Sequence, residues 1–89
     1  MPAVRSVKIS DNVIEIDDFR GVKKTLKASS IPSSQNTIAK IENYINNTWI
    51  PANITEYQAS VHVFSINPLR TTVGTWELGE SIPANWWDL

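Results

Sequence analysis

At 89 residues and a formal net charge of −1, the chain is long enough for one thin-cored domain and too close to neutral for nonspecific binding to a polyanion, although its basic residues gather in the first third and its C-terminal segment is acidic. It has no cysteine and only three glycines, which excludes disulfides, thiolate metal sites and cysteine nucleophiles and leaves no phosphate-cradling glycine loop. No stretch reaches the ~18 apolar residues of a membrane span, and the expectation is a cytoplasmic protein without membrane contact.

From the N-terminus, Val7, Ile9, Ile14 and Ile16 alternate around Asp11-Asn12. A two-residue turn there predicts a hairpin with Ile9 facing Ile14, Val7 facing Ile16 and Lys8 opposite Glu15; Asp and Asn tolerate the positive φ such turns need. Glu15, Asp17 and Asp18 could suggest a cation site or a paired acid and base. Lys8 and Lys23 lie close enough to neutralise them, so ion pairing accounts for these carboxylates and no metal is expected.

Phe19-Arg20-Gly21 then turns the chain into a lysine-rich third strand over residues 22–28, of the kind that discourages edge pairing. Arg20, Lys23 and Lys27 are the strongest hint of an anionic partner. Alternation puts Lys23 and Lys27 on one face and Lys24 on the other. Together with Gln35 and Asn36 at the start of the following helix, these residues make nucleic-acid binding the first alternative function.

Ile38, Ile41, Ile45 and Trp49, with Tyr44 alongside, recur at three- and four-residue spacing and predict a helix from about Ser34 to Thr48, closed by Pro51. The residues Ser34-Gln35-Asn36-Thr37-Ile38-Ala39-Lys40 resemble the opening of the recognition helix in helix-turn-helix DNA-binding proteins. That motif requires a first helix packed across the second, whereas the residues before Ser34 are extended and serine-rich, so N-terminal capping accounts for them.

Residues 57–66 and 71–78 are expected to form a second hairpin about a turn over Asn67 to Arg70. Pairing Ile66 with Thr71 would place Ala59, Val61 and Val63 on one face with Gly74, Trp76 and Leu78. The other face would hold His62, Phe64 and Ile66 beside Thr71, Val73 and Thr75. Both faces are partly apolar, as in strands covered on two sides. On this register His62 would lie across from Thr75 and diagonal to Glu77. No nucleophile elbow or oxyanion loop accompanies that grouping, so His62 reads as a hydrogen-bonded or interface residue and no enzyme is expected.

Three of the four tryptophans, Trp76, Trp86 and Trp87, fall in the last fourteen residues. A Trp-Trp pair carries too much apolar area to be left in water, so this tail must dock on its own domain or on another chain. Ile50-Pro51-Ala52-Asn53 and Ile82-Pro83-Ala84-Asn85 are identical tetrapeptides that read as a shared turn type rather than a repeat.

The pattern predicts an α+β domain over residues 1–79, an antiparallel sheet of four to five strands with one helix packed on one face in the order β-β-β-α-β-β, followed by a Trp-rich docking tail over 80–89. One helix covers one sheet face, so the other must meet the tail, a second copy or a partner. The leading expectation is a non-enzymatic interaction or assembly protein without cofactor, binding itself or another protein. Trp86, Trp87 and Leu89 would be its anchors, and Phe64, Ile66, Val73 and His62 its receiving surface. Its size suits the small accessory proteins of phages and mobile elements. The second alternative is a small-ligand site between helix and sheet lined by Tyr44, Trp49, Tyr57 and Trp76.

Overall fold

The computed structural model describes residues 8–17 and 22–88. It is a small α+β fold with five strands, β1 (Lys8–Asp11), β2 (Val13–Asp17), β3 (Lys23–Lys27), β4 (Tyr57–Ile66) and β5 (Leu69–Glu77), and one helical segment between β3 and β4. The strands do not make the single sheet expected. They form two antiparallel sheets, one in the order β1-β5-β4 and a two-stranded ribbon of β2 and β3.

The division occurs at Asn12, where the sequence predicted a hairpin. β1 does not pair with β2: Lys8 to Asp11 lie opposite Val73 to Arg70, while Val13 to Asp17 lie opposite Lys27 to Lys23. Asn12, at φ 62°, turns the chain from one sheet into the other. It is bonded to both. Its N–H donates to Leu69 O at 2.6 Å and its Oδ1 accepts from Leu69 N–H at 3.0 Å, while its own carbonyl accepts from Ala28 N–H at 2.9 Å. The side-chain amide thus replaces a strand neighbour for Leu69, and asparagine is among the few residues that occupy the left-handed region at low cost. Ser10 Oγ, donating to Val13 O, braces the corner.

Asn12→Ala is expected to cost about 2–3 kcal/mol, combining a strained backbone with an orphaned Leu69 N–H, and Asn12→Gly about 1–2 kcal/mol because only the side-chain bond is lost. Urea midpoints of the two variants check this. Two equal losses would mean the backbone angle carries no strain.

The ribbon lays Ile14, Ile16 and Leu26 against Val61, Val63, Leu69 and Val73 of the larger sheet, and Ile41, Ile45 and Ile50 of the helix close the same core. β5 is the central strand, buried at Leu69 and from Thr71 through Trp76, as expected of a strand covered on both faces. Among the described residues, the Oγ1 atoms of its Thr71, Thr72 and Thr75 are buried without a hydrogen-bond partner, a cost of packing this strand from both sides.

The helix begins at Ile38, four residues later than expected, with Thr37 Oγ1 accepting from Lys40 N–H at 3.1 Å. It does not stop at Pro51. An α-helical stretch α1 (Ile38–Tyr44) widens into a π turn over Ile45–Trp49 and resumes as α2 (Ile50–Asn53), which contains the proline. In the wide turn Ile50 N–H reaches back five residues to Ile45 O, and the missing N–H of Pro51 is accommodated just after it. The extra residue also rotates the apolar stripe: Ile41, Ile45 and Ile50 are buried, Trp49 is half-buried and Ile38 is exposed. Among the described residues no helix is long and apolar enough to cross a membrane.

β4 and β5 are joined by a two-residue turn at Asn67-Pro68, whose peptide bond is cis, so Ile66 pairs with Leu69 rather than Thr71. An irregularity between Val63 and Ser65 leaves Phe64 as an extra residue, and beyond it Val61 pairs with Val73 and His62 with Thr72. The net displacement is an odd number of residues, so the two β5 faces are exchanged relative to the sequence reading. Val73 and Thr75 join Val61 in the core. Gly74 and Trp76 pass to the outer face with Ser60 and His62.

Candidate functional site

The outer face of the larger sheet is where the C-terminal tail docks. β5 presents Thr72, Gly74 and Trp76 there, and β4 presents Gln58, Ser60 and His62. Gly74 is required by the packing. A Cβ at that position would lie 2.8 Å from the Trp86 ring and would run into the Trp76 ring. The bare glycine lets both indoles lie against the strand.

Trp86 belongs to a 3-10 turn over Trp86–Asp88, held by Trp86 N–H to Pro83 O at 3.2 Å and Asp88 N–H to Asn85 O at 2.9 Å. The second Ile-Pro-Ala-Asn thus ends in a turn, whereas the first is helical, and the two share no conformation. Trp86 is 5% exposed and meets Trp76 edge-to-face at 5.8 Å. It is seated on its own sheet, so it is not free to anchor in another molecule.

Trp87 does the opposite. It stands edge-to-face to Trp86 at 5.9 Å, stacks on His62 at 5.2 Å, and His62 in turn stacks on Phe64 at 6.3 Å. Trp87 and Phe64 are 44% and 42% exposed, and His62 is half-buried between them. The result is a row of three stacked rings along the molecular surface. Ile9 of β1, opposite Thr72, extends the apolar character of this side, and Leu78 is exposed just after β5.

Two polar residues of the helix brace the strand that carries His62 and Phe64. β4 is an edge strand, and the helix covers its edge with side chains. Asn46 Oδ1 accepts from Val61 N–H at 2.8 Å and its Nδ2 donates to Val61 O at 3.0 Å; Glu42 Oε1 accepts from Val63 N–H at 2.9 Å. An amide and a carboxylate thereby stand in for a further strand and close the edge to pairing. Glu42 Oε1 also lies 3.5 Å from His62 Nδ1, fixing the imidazole beside Trp87. The sequence signal for this brace was the four-residue spacing of Glu42 and Asn46, which places both on one side of the helix.

Of the residues singled out from the sequence, Trp86, Trp87, Phe64 and His62 come together on this face, whereas Ile66, paired with the core-facing Leu69, is exposed at the end of β4 on the other side of the strand. Val73 is in the core at 2% exposure and leaves the surface set. Leu89 and Arg20 lie outside the described residues. The corrected register also separates His62 from Thr75, which faces the core, so the grouping of threonine, histidine and glutamate does not exist.

The nucleic-acid alternative is placed differently. Lys23 and Lys27 share the outward face of the ribbon, as alternation predicted, but Lys23 Nζ is 3.5 Å from Glu15 Oε2, which also binds Lys8 Nζ at 2.6 Å. Gln35 donates to Ser34 Oγ at 3.2 Å, and Asn36 is exposed. The segment before Ile38 contains a 3-10 turn over Ala28–Ser30 in place of the first helix a helix-turn-helix needs. Of the four aromatic residues assigned to a ligand cavity, Trp76 lies on the outer face. Tyr57 lines a pocket of about 130 Å³, with Ile16, Lys24 and Thr75 among its other walls.

The hydrogen bond from Lys8 holds the Glu15 carboxyl below its ordinary range, aided by the charges of Lys23 and Lys8. A depressed carboxylate pKa contributes stability that is fully present above the unfolded value, about 4.3, and disappears as pH falls through the folded value. Wild-type urea midpoints should therefore drop more steeply below about pH 4.5 than those of Glu15→Gln. Parallel curves would show that the pair contributes nothing.

No family model, curated protein or solved structure matches the chain.

Proposed function

We propose that the chain is a non-enzymatic protein-interaction module that self-associates through the row of Phe64, His62 and Trp87. The observation that carries this reading is the contrast between the adjacent tryptophans. Trp86 is spent on holding the tail to the sheet, and Trp87 is thereby fixed with half its indole in water against two other stacked rings. Rigid, half-exposed aromatic residues lose little conformational freedom on binding and typify interface anchors. Covering the open half of one such ring contributes about 2 kcal/mol. A net charge of −1 removes most of the repulsion between copies.

Glu42 and Asp88 flank the row, which opposes a phosphate backbone on this surface and favours protein over nucleic acid as the partner. Sedimentation velocity across a hundredfold dilution tests the proposal. The wild-type chain should form an oligomer, and Trp87→Ala with Phe64→Ala should sediment as a monomer with an unchanged circular dichroism spectrum. An oligomer that survives both substitutions, or a wild-type chain monomeric throughout, would remove the reading.

A further inference from the structure

The ribbon and the tail lie on opposite sides of the larger sheet. Ile14, Ile16 and Leu26 pack on its core face, whereas Trp86 packs on Trp76 at its outer face. The two sides also differ in charge. On the outward side of the ribbon and the strand corner beside it, Lys8, Lys23 and Lys27 outnumber Glu15 and Asp17. On the tail side, Glu42 lies 3.5 Å from His62, Asp88 follows Trp87 and Glu80 begins the tail, while Arg70 is neutralised by Asp11 at 3.1 Å.

We propose that copies of this chain associate head to tail, the lysine ribbon of one seated on the aromatic and acidic tail face of the next. This inference rests on the self-association reading and specifies its geometry. The occupant is a second copy because the chain carries both halves of the complementarity: Lys27 is exposed, and its ammonium and those of its neighbours can meet the Trp87 ring face and the Asp88 carboxylate together. A two-fold contact of the tail face with itself would set one acidic face against another, like charge against like. Complementary patches on opposite sides of a molecule give a heterologous contact that repeats without closing, so the assembly is an open stack whose length grows with concentration.

Charge exchange tests it. Lys23→Glu with Lys27→Glu makes both faces acidic, and Glu80→Lys with Asp88→Lys makes both basic. Each double variant alone should have a weight-average mass at the monomer value. An equimolar mixture should regain at least about half of the wild-type mass, because acidic ribbons then meet basic tails and the reverse. Wild-type mass should also fall at least about twofold between 50 and 500 mM salt, a measurement that needs no variant. Wild-type assembly that is indifferent to salt, or that persists in the lysine variant, overturns the head-to-tail geometry while leaving the aromatic row as the contact. Loss of assembly in Trp87→Ala together with failure of the mixture to recover also overturns it. A wild-type monomer at every concentration removes both.

Discussion

Trp86→Ala is expected to lower the unfolding free energy by about 3–5 kcal/mol, whereas Trp87→Ala beside it should change it by less than about 1 kcal/mol. The two side chains are chemically identical and adjacent, so the difference isolates what each one touches. Trp86 is 5% exposed and fills the space over Gly74 against Trp76; its removal leaves a cavity and uncovers the sheet. Trp87 is 44% exposed and gives up only ring stacking with His62 and Trp86. Truncation after Gly79 should cost the same as Trp86→Ala to within about 1 kcal/mol, because Trp86 is the one fully buried residue of the described tail. Thermal and urea unfolding of the three variants checks this. Equal losses at the two tryptophans would mean that the tail does not sit with Trp86 inward.

Gly74→Ala is the complementary change, adding one methyl to the surface that Trp86 covers. It should destabilise by about 2–3 kcal/mol, because the new Cβ meets both indoles and a well-packed core yields only by moving rings off their rotamers. The tail should loosen as a result, with tryptophan emission shifted to longer wavelength. In the Trp86→Ala background the same methyl meets only Trp76, so the double variant should be at least about 1 kcal/mol more stable than the sum of the single losses predicts. Strict additivity would show that Gly74 and Trp86 are not in contact.

That the tail had to dock was legible in the sequence, since a Trp-Trp pair near a chain end has few other fates. The surface that receives it was not. Its identity depends on the β4–β5 register, which rests on whether the turn takes two residues or four and on the extra residue at Phe64. Neither leaves a periodic signal, and an odd total displacement exchanges Val73 for Trp76 between the faces. The corner at Asn12 was misread for a related reason. Alternation of Ile9, Ile14 and Ile16 about a turn residue is satisfied equally by a hairpin and by two strands that part into different sheets. The Lys8–Glu15 pair forms in the observed arrangement as well, so it could not distinguish them. Asn12 itself was correctly marked as tolerant of positive φ. In the helix, Pro51 was read as a stop because a π turn, which admits it, has no composition of its own.

Several aspects of the surface follow from how small the fold is. The helix serves both the core, through Ile41 and Ile45, and the β4 edge, through Glu42 and Asn46. Because Glu42 and Asn46 occupy Val61 and Val63, that stretch of edge is closed to strand addition.

Acrylamide quenching of tryptophan fluorescence across a protein dilution series tests the central claim most directly, that the open rings of the tail face are the contact surface. Trp87 is the most exposed of the described tryptophans and should dominate quenching in dilute solution. The account predicts that quenching falls as solution mass rises, and that this dependence vanishes in Trp87→Phe. Quenching that stays constant while mass rises, or a mass that never rises, would contradict it.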